Sequence, residues 1–293
     1  MSDTASVPTF VQFIHPGPEH GADRPGHKGW NWDLHRRKFL RANGRYIEHL
    51  GETPREGELV FWGEWEAESD VEPIREPVRG GPRWLHSPYY VRPEAYRRGE
   101  RVRQNTDPFV FGDQFFYTLC RQVRKSGRPT LLRDLDPGSL IVFGSLKAGE
   151  FVVDTVFVTG DSVLHELGSW EATLDGRVPE TYVDVTLRPT YGWEDDRIRL
   201  RLYSGATIER PVDGMFSFVP ALPGSVADGG FARPSVIDRE LITPSLPMGF
   251  KATRGLSPSR IKSAWESIGE QIVAQDLALG TRFELPQRRA IAA

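Results

Sequence analysis

Ser139-Leu140-Ile141-Val142-Phe143-Gly144-Ser145 and Phe151-Val152-Val153-Asp154-Thr155-Val156-Phe157-Val158, joined across Lys147-Ala148-Gly149, decide the fold class. Both arms are β-branched and aromatic, with turn residues between them, which is the pattern of a β-hairpin. Both are also near-continuously apolar, which predicts a strand pair covered on two faces. On the N-terminal side, Thr9 to Ile14 is a short β-rich run stopped by His15-Pro16-Gly17-Pro18, because neither Pro nor Gly continues a strand ladder well. Gly57 to Glu66 is a second clear strand, with Phe61, Gly63 and Trp65 on one face and Trp62, Glu64 and Glu66 on the other. A short strand is predicted at Trp84 to Val91 within the proline-marked loops of 71–103. Beyond the hairpin, Arg197 to Ser204 alternates as a half-exposed strand, and Met215 to Val219 is a short strand closed by Pro220.

Three segments read as helices. Trp32 to Arg41 has Asp33 as its N-cap and Leu34, Phe39 and Leu40 as buried positions. Asp113 to Lys125 places Phe116, Leu119, Cys120 and Val123 on one face, with Gly127 after it. Residues 258–280 begin with the cap Ser257 and with Pro258, carry the stripe Ile261, Trp265, Ile268 and Ile272, and exit at Gly280. The expected fold is therefore α+β: a mainly antiparallel, barrel-like sheet with flanking short helices and a C-terminal helix. Residues 1–293 read as a single elaborated domain, with a β core at 9–220 and a loop-rich stretch at 221–257.

The chain holds 29 glycines and 23 prolines, about 18 % against an average near 12 %, which excludes coiled coils and helical bundles. Cys120 is the only cysteine, so neither an internal disulfide nor a cysteine-based zinc cluster can form, and its apolar neighbours make it read as a small buried hydrophobe rather than the alternative, a nucleophile. No signal-peptide pattern and no long apolar run is present, so a cytoplasmic location without membrane contact is expected. The net charge is only -3, but it is segregated: Lys28 to Tyr46 carries +5, Glu48 to Glu76 carries -8 and Arg92 to Arg133 carries +6. Basic blocks of this kind can form one face for a polyanion, or can neutralise the acidic block within the fold. Phosphate-binding Gly-Lys-Ser/Thr loops, Gly-x-Gly-x-x-Gly and Gly-x-Ser-x-Gly are absent, which argues against nucleotide triphosphatases, dinucleotide-dependent dehydrogenases and α/β-hydrolases.

Two segments share a form: Gly57-Glu58-Leu59-Val60-Phe61-Trp62-Gly63, and Asp136-Pro137-Gly138-Ser139-Leu140-Ile141-Val142-Phe143-Gly144 with the valine-rich strand after it. The second resembles the core hairpin of PUA-like β-barrels (PUA, ASCH and EVE domains), although Ser139 stands where an acid usually follows the glycine. The likeness covers about 25 residues. It implies a small barrel that binds RNA or DNA around a flipped or modified base in an aromatic-walled pocket, with some members acting as hydrolases or nucleases.

Four constellations offer chemistry. His15-Pro16-Gly17-Pro18-Glu19-His20 leaves a strand end, with His27 and His35 downstream; histidine and carboxylate serve as acid–base groups or metal ligands, or are simply solvated in a loop. Trp30-Asn31-Trp32-Asp33-Leu34-His35-Arg36-Arg37-Lys38 combines stacking rings with cations for phosphate, unless the tryptophans are core anchors. Arg101 to Asp113 contains Arg103-Gln104-Asn105-Thr106-Asp107, donors and acceptors of the kind that read base edges or cap a turn. Trp62 and Glu64 share a strand face on which a base can stack, or which packs across strands.

The leading expectation is recognition of nucleic acid or a nucleotide, including modified bases, by a barrel mouth. Its binding residues are Trp30, Trp32, His35, Arg36, Arg37, Lys38, Trp62, Arg103, Gln104, Asn105 and Thr106. The alternative is a metal- or histidine-assisted hydrolase or nuclease using His15, Glu19, His20 and Asp107. A third class is a scaffold that binds a protein through the Trp84 to Tyr90 loop. The residues name no cofactor and leave open whether a metal binds.

Overall fold

In a computed structural model of the chain, residues 7–15, 17–22, 24–32, 35–92, 103–191, 198–246 and 248–290 are described. The fold is mostly β and barrel-like. Its strands are β1 (Phe10–Ile14), β2 (Gly26–Lys28), β3 (Lys38–Ile47), β4 (Arg55–Gly63), β5 (Ser69–Pro73), β6 (Trp84–Tyr90) and β7 (Phe116–Tyr117), then β8 (Leu140–Lys147), β9 (Glu150–Glu166), β10 (Arg199–Gly205), β11 (Val219–Pro223), β12 (Gly249–Thr253), β13 (Ala278–Phe283) and β14 (Gln287–Arg288). One sheet runs β12-β1-β8-β9-β10-β7. The other runs β13-β11-β4-β3-β6-β5-β2, and because β13 also pairs with β3, strands β3, β4, β11 and β13 close into a ring. No helix among the described residues is long and apolar enough to cross a membrane.

The β8–β9 hairpin is present and is the core of its sheet. It carries a bulge at Phe143/Gly144, where a side chain would collide: a Cβ on Gly144 would lie 2.1 Å from the Val152 carbonyl oxygen and 2.8 Å from the Phe151 ring. β1 lies parallel to β8 in the register Ile14–Gly144, and the next amide, that of His15, donates to the Gly144 carbonyl at 2.7 Å. The narrow bulge thus fixes where the chain leaves β1.

Several expected elements take another form. The helix at Trp32 to Arg41 is replaced by β3, whose Lys38 to Tyr46 pairs residue by residue with Gly63 to Arg55 of β4. Both ends of β3 are buried, so its apolar spacing lost the simple alternation of a half-exposed strand. The proposed cap Asp33 lies outside the described residues, as do Leu34, Arg101 and Arg197.

The helix at Asp113 to Lys125 is absent as well. Phe116 and Tyr117 pair with β10, and the amides of Thr118, Leu119 and Cys120 bind the Asp107 carboxylate instead of helical carbonyls. The C-terminal helix spans Pro258–Val273, capped by Ser257 as expected, but stops short of Gly280, which lies in β13. Its Trp265 indole donates to Phe216 O at 2.9 Å and seats the apolar stripe. The stretch 221–257, read as loop, contributes β12, and Pro220 lies inside β11 rather than after a strand.

Candidate active site

β1 delivers His15, β3 is preceded by His35-Arg36-Arg37, and β4 runs out into Glu64-Trp65-Glu66. These three strand ends meet Asp154 of β9 and Cys120 of the turn after β7, which converge only in the fold. All of His15, Arg37, Glu64, Glu66 and Asp154 are buried. The His15 imidazole sits between two partners: Nδ1 is 2.7 Å from Glu64 Oε2, and Nε2 is 3.2 Å from Cys120 Sγ. The Phe13 ring meets the imidazole edge-on and restricts its rotation.

Arg37 ties the floor of the site together. Its Nη1 donates to Glu64 Oε2 at 2.7 Å, its Nε donates to Asp154 Oδ2 at 2.8 Å, and Nη2 reaches the Nδ1 edge of His15. Burial opposes its charge, but the Asp154 and Glu64 carboxylates outweigh that and raise its pKa further. Arg233 adds a second cation, donating to Ser145 Oγ at 2.6 Å and to Gly17 O at 2.7 Å, with its Nη1 3.5 Å from Asp154 Oδ1.

Glu64 uses its other oxygen elsewhere. Oε1 accepts the Asp107 amide at 3.2 Å and lies 3.1 Å from His35 Nδ1. The same His35 nitrogen is 3.1 Å from Glu66 Oε1, and Glu66 Oε2 accepts from Asn31 Nδ2 at 2.5 Å. Burial disfavours a charged His35, yet the two carboxylates prevail and push its pKa up to about 10. Burial likewise works against the Glu64 anion, but His15 and His35 hold its pKa well below the usual carboxylate range.

For His15 the burial cost prevails and the pKa is lowered, so the imidazole is neutral. Nδ1 faces both Glu64 Oε2, which can only accept, and Arg37 Nη2, which can only donate; with the proton on Nδ1, shared with Glu64, the Nε2 lone pair faces the thiol. Burial together with the Asp107 and Glu64 charges pushes the Cys120 thiol well up. The resting pair is therefore a thiol and a neutral imidazole. The Cys120 sulfur is also 3.4 Å from Asp107 O, a second acceptor within reach of the one S–H.

The segment 103–107 builds rather than reads. Thr106 Oγ1 accepts the Glu66 amide at 3.0 Å, and the Asp107 amide holds Glu64, so consecutive residues fix both glutamates. Burial raises the Asp107 pKa to about 7 against the pull of the three amides it accepts. Gln104 uses its backbone: its carbonyl accepts the Trp30 indole at 2.7 Å and its amide donates to Asn31 O. Asn105 lies between them. Arg103 sits over the rings of both Trp30 and Trp32 at 5.2 Å, and His35 and Cys120 keep partial exposure.

Of the residues predicted from sequence, His15, His35, Arg37 and Asp107 therefore come together, with the Arg36 amide donating to Glu66 at 3.3 Å. Glu19 does not join them: it accepts the amides of Arg83 and Trp84 and clamps the start of β6. His20 is buried beside His86, with burial and Lys38 pushing its pKa down to about 3.

Three expected nucleic-acid contacts are corrected. Arg37 is 1 % exposed and held by carboxylates, so it cannot meet phosphate. Lys38 is 0 % exposed and donates to Ala67 O at 2.7 Å, with burial lowering its pKa to about 7. Trp62 is buried, donates to Phe231 O and lies beneath Arg233, so no base can stack on it. Glu66, Asp154 and Cys120 were missed as site residues. The available signal was a lone acid in an apolar strand, Asp154, and two acids spaced by two at a strand end, Glu64 and Glu66.

A groove of about 1150 Å³ edged by Arg45, Asp113, Arg177, Arg210 and Arg282 shares no residue with this cluster. Compared with known proteins, the chain matches no family model, no curated protein and no solved structure, so the site is read from its own chemistry.

Proposed function

We propose that the protein is a thiol-dependent hydrolase or acyl transferase in which Cys120 is the nucleophile, His15 its general base and Glu64 the group that orients the imidazole. One observation carries this reading: the line Cys120 Sγ, His15 Nε2, His15 Nδ1, Glu64 Oε2, with contacts of 3.2 and 2.7 Å at its two ends. Nucleophilic catalysis needs a nucleophile within reach of a base that a third group holds in one tautomer, and the roles are recognised by geometry, not by chain order. In the forward step the sulfur attacks an acyl carbonyl while its proton passes to Nε2. The leaving group then departs with that proton. Water attacks the thioester, returns a proton to the sulfur and frees the acid. Arg37 keeps the Glu64 anion in place during the transient positive charge on His15.

Because Cys120 is the sole cysteine, the test is clean. Incubation with an activated p-nitrophenyl ester should release a burst of nitrophenolate and leave an acyl group on Cys120 by mass spectrometry. Cys120→Ala should abolish the adduct and His15→Gln should slow its formation by about two orders of magnitude or more. An unmodified Cys120, or an adduct formed equally fast in His15→Gln, would overturn the reading.

A second reading, recognition of a nucleotide base at the same mouth, draws on the Arg103 guanidinium held over Trp30 and Trp32, and on the PUA-like pattern of the β8–β9 hairpin. The same acylation assay separates the two. A mononucleotide or short RNA that protects Cys120 places a base in the mouth; unaltered acylation at saturating nucleotide counts against it.

A further inference from the structure

His35 Nδ1 faces two carboxylate oxygens at the same distance, 3.1 Å to Glu64 Oε1 and 3.1 Å to Glu66 Oε1. One N–H can serve both only as a shared, three-centre bond. The three donor atoms lie within 4.8 Å of one another. Imidazole nitrogen and carboxylate oxygen bind divalent metals at about 2.0–2.2 Å, and donors sharing an ion at right angles then sit about 3 Å apart. The two nitrogen–oxygen separations have that value.

The surroundings are also those of a metal centre. Each carboxylate is oriented by a second group: the Asp107 amide on Glu64 Oε1, and Asn31 Nδ2 on Glu66 Oε2. Thr106 Oγ1 fixes the Glu66 backbone. Both glutamate side chains are buried, at 2 % and 0 % exposure, whereas that of His35 is 22 % exposed, so the cluster reaches solvent through His35.

We propose that His35, Glu64 and Glu66 bind one divalent first-row transition-metal ion, with water or a substrate oxygen on its open positions. The donor set of one imidazole and two carboxylates suits Mn²⁺, Fe²⁺ or Zn²⁺ and offers no soft sulfur ligand. This inference does not depend on the thiol chemistry proposed above. Glu64 gives Oε2 to His15 and Arg37, while Oε1, which accepts the Asp107 amide with one lone pair, offers its other to the ion.

The test uses the full chain, treated with EDTA and then titrated with Mn²⁺ and, separately, Zn²⁺ by calorimetry. One equivalent should bind. His35→Ala and Glu66→Gln should each weaken binding by about a hundredfold or more, and His49→Gln, on the exposed surface, should not. No saturable binding up to about millimolar metal, or wild-type affinity retained in both His35→Ala and Glu66→Gln, would overturn the site. Where a variant does not fold, the wild-type protein decides by paramagnetic broadening: Mn²⁺ should broaden the His35 imidazole resonances before those of His49, and broadening of His49 alone rejects the proposal. Because binding is read without turnover, a failed acylation of Cys120 and a failed metal site give different results.

Discussion

Arg37 is the residue on which the buried charges depend. It stands buried between Glu64 and Asp154. Removing one member of a buried ion pair leaves the other charged and unpaired, which typically costs about 3–5 kcal/mol. Asp154 keeps Arg233 and Glu64 keeps His35, so Arg37→Ala should lower unfolding stability by up to about that amount in a urea titration. Adding Asp154→Asn should recover part of the loss, since it removes one of the stranded charges. Additive losses in the double variant would show that the two do not act as a pair. The residue scale also shows why part of the site was hidden in the sequence. Cys120 has the apolar neighbours of a core residue, and nothing adjacent announces that His15, 105 positions earlier, ends 3.2 Å from its sulfur.

At the scale of the element, the strands that could be read were those whose pattern is local. The β8–β9 hairpin, β1, β4 and β6 each combine a short apolar or alternating run with turn residues. β3 was misread because its identity is set by partners far away: it takes β4 on one side and β6 and β13 on the other, and both of its faces are buried at each end, which erases period two. The segment after Asp113 was misread for a related reason, since the Asp107 carboxylate captures the amides that would have started a helix. Gly144 joins an element to the site. Gly144→Ala forces a Cβ against Val152 O, an overpacking that should cost about 1–3 kcal/mol in thermal or urea unfolding. Because the His15 amide hangs on the Gly144 carbonyl, acylation of Cys120 should also slow in this variant. Unchanged stability and rate would mean that the bulge yields without moving β1.

Over the whole molecule, buried histidines set an acid limit on stability. His165 is buried with Nε2 against Thr118 Oγ1 at 2.9 Å, and burial lowers its pKa to about 4. Between about pH 6.5 and 4 the unfolded chain binds a proton at this position that the folded chain refuses. Its contribution is thus complete above pH 6.5 and is lost as the pH falls, at up to about 1.4 kcal/mol per pH unit. Asp107, raised to about 7, titrates with the opposite sign in this range, so the comparison must be made between variants. His165→Gln should flatten the slope of stability against pH by one proton's worth, measured by urea unfolding at pH 4.5, 5.5 and 6.5. An identical slope would place the acid sensitivity elsewhere.

The closure of the ring by β13 and the pairing of β1 with β12 have a consequence in time. β1 is made first, yet its two neighbours are β8 and β12, some 130 and 240 residues later, and β3 waits for β13. During synthesis the strand that carries His15 therefore has no lasting place until the final quarter of the chain has emerged, and the strand after Arg37 is held open for longer still. Contacts this distant are slow to form. A chain made only as far as β9 carries His15, Arg37, Glu64, Glu66, Cys120 and Asp154 but lacks β12 and β13, the strands that pair with β1 and β3.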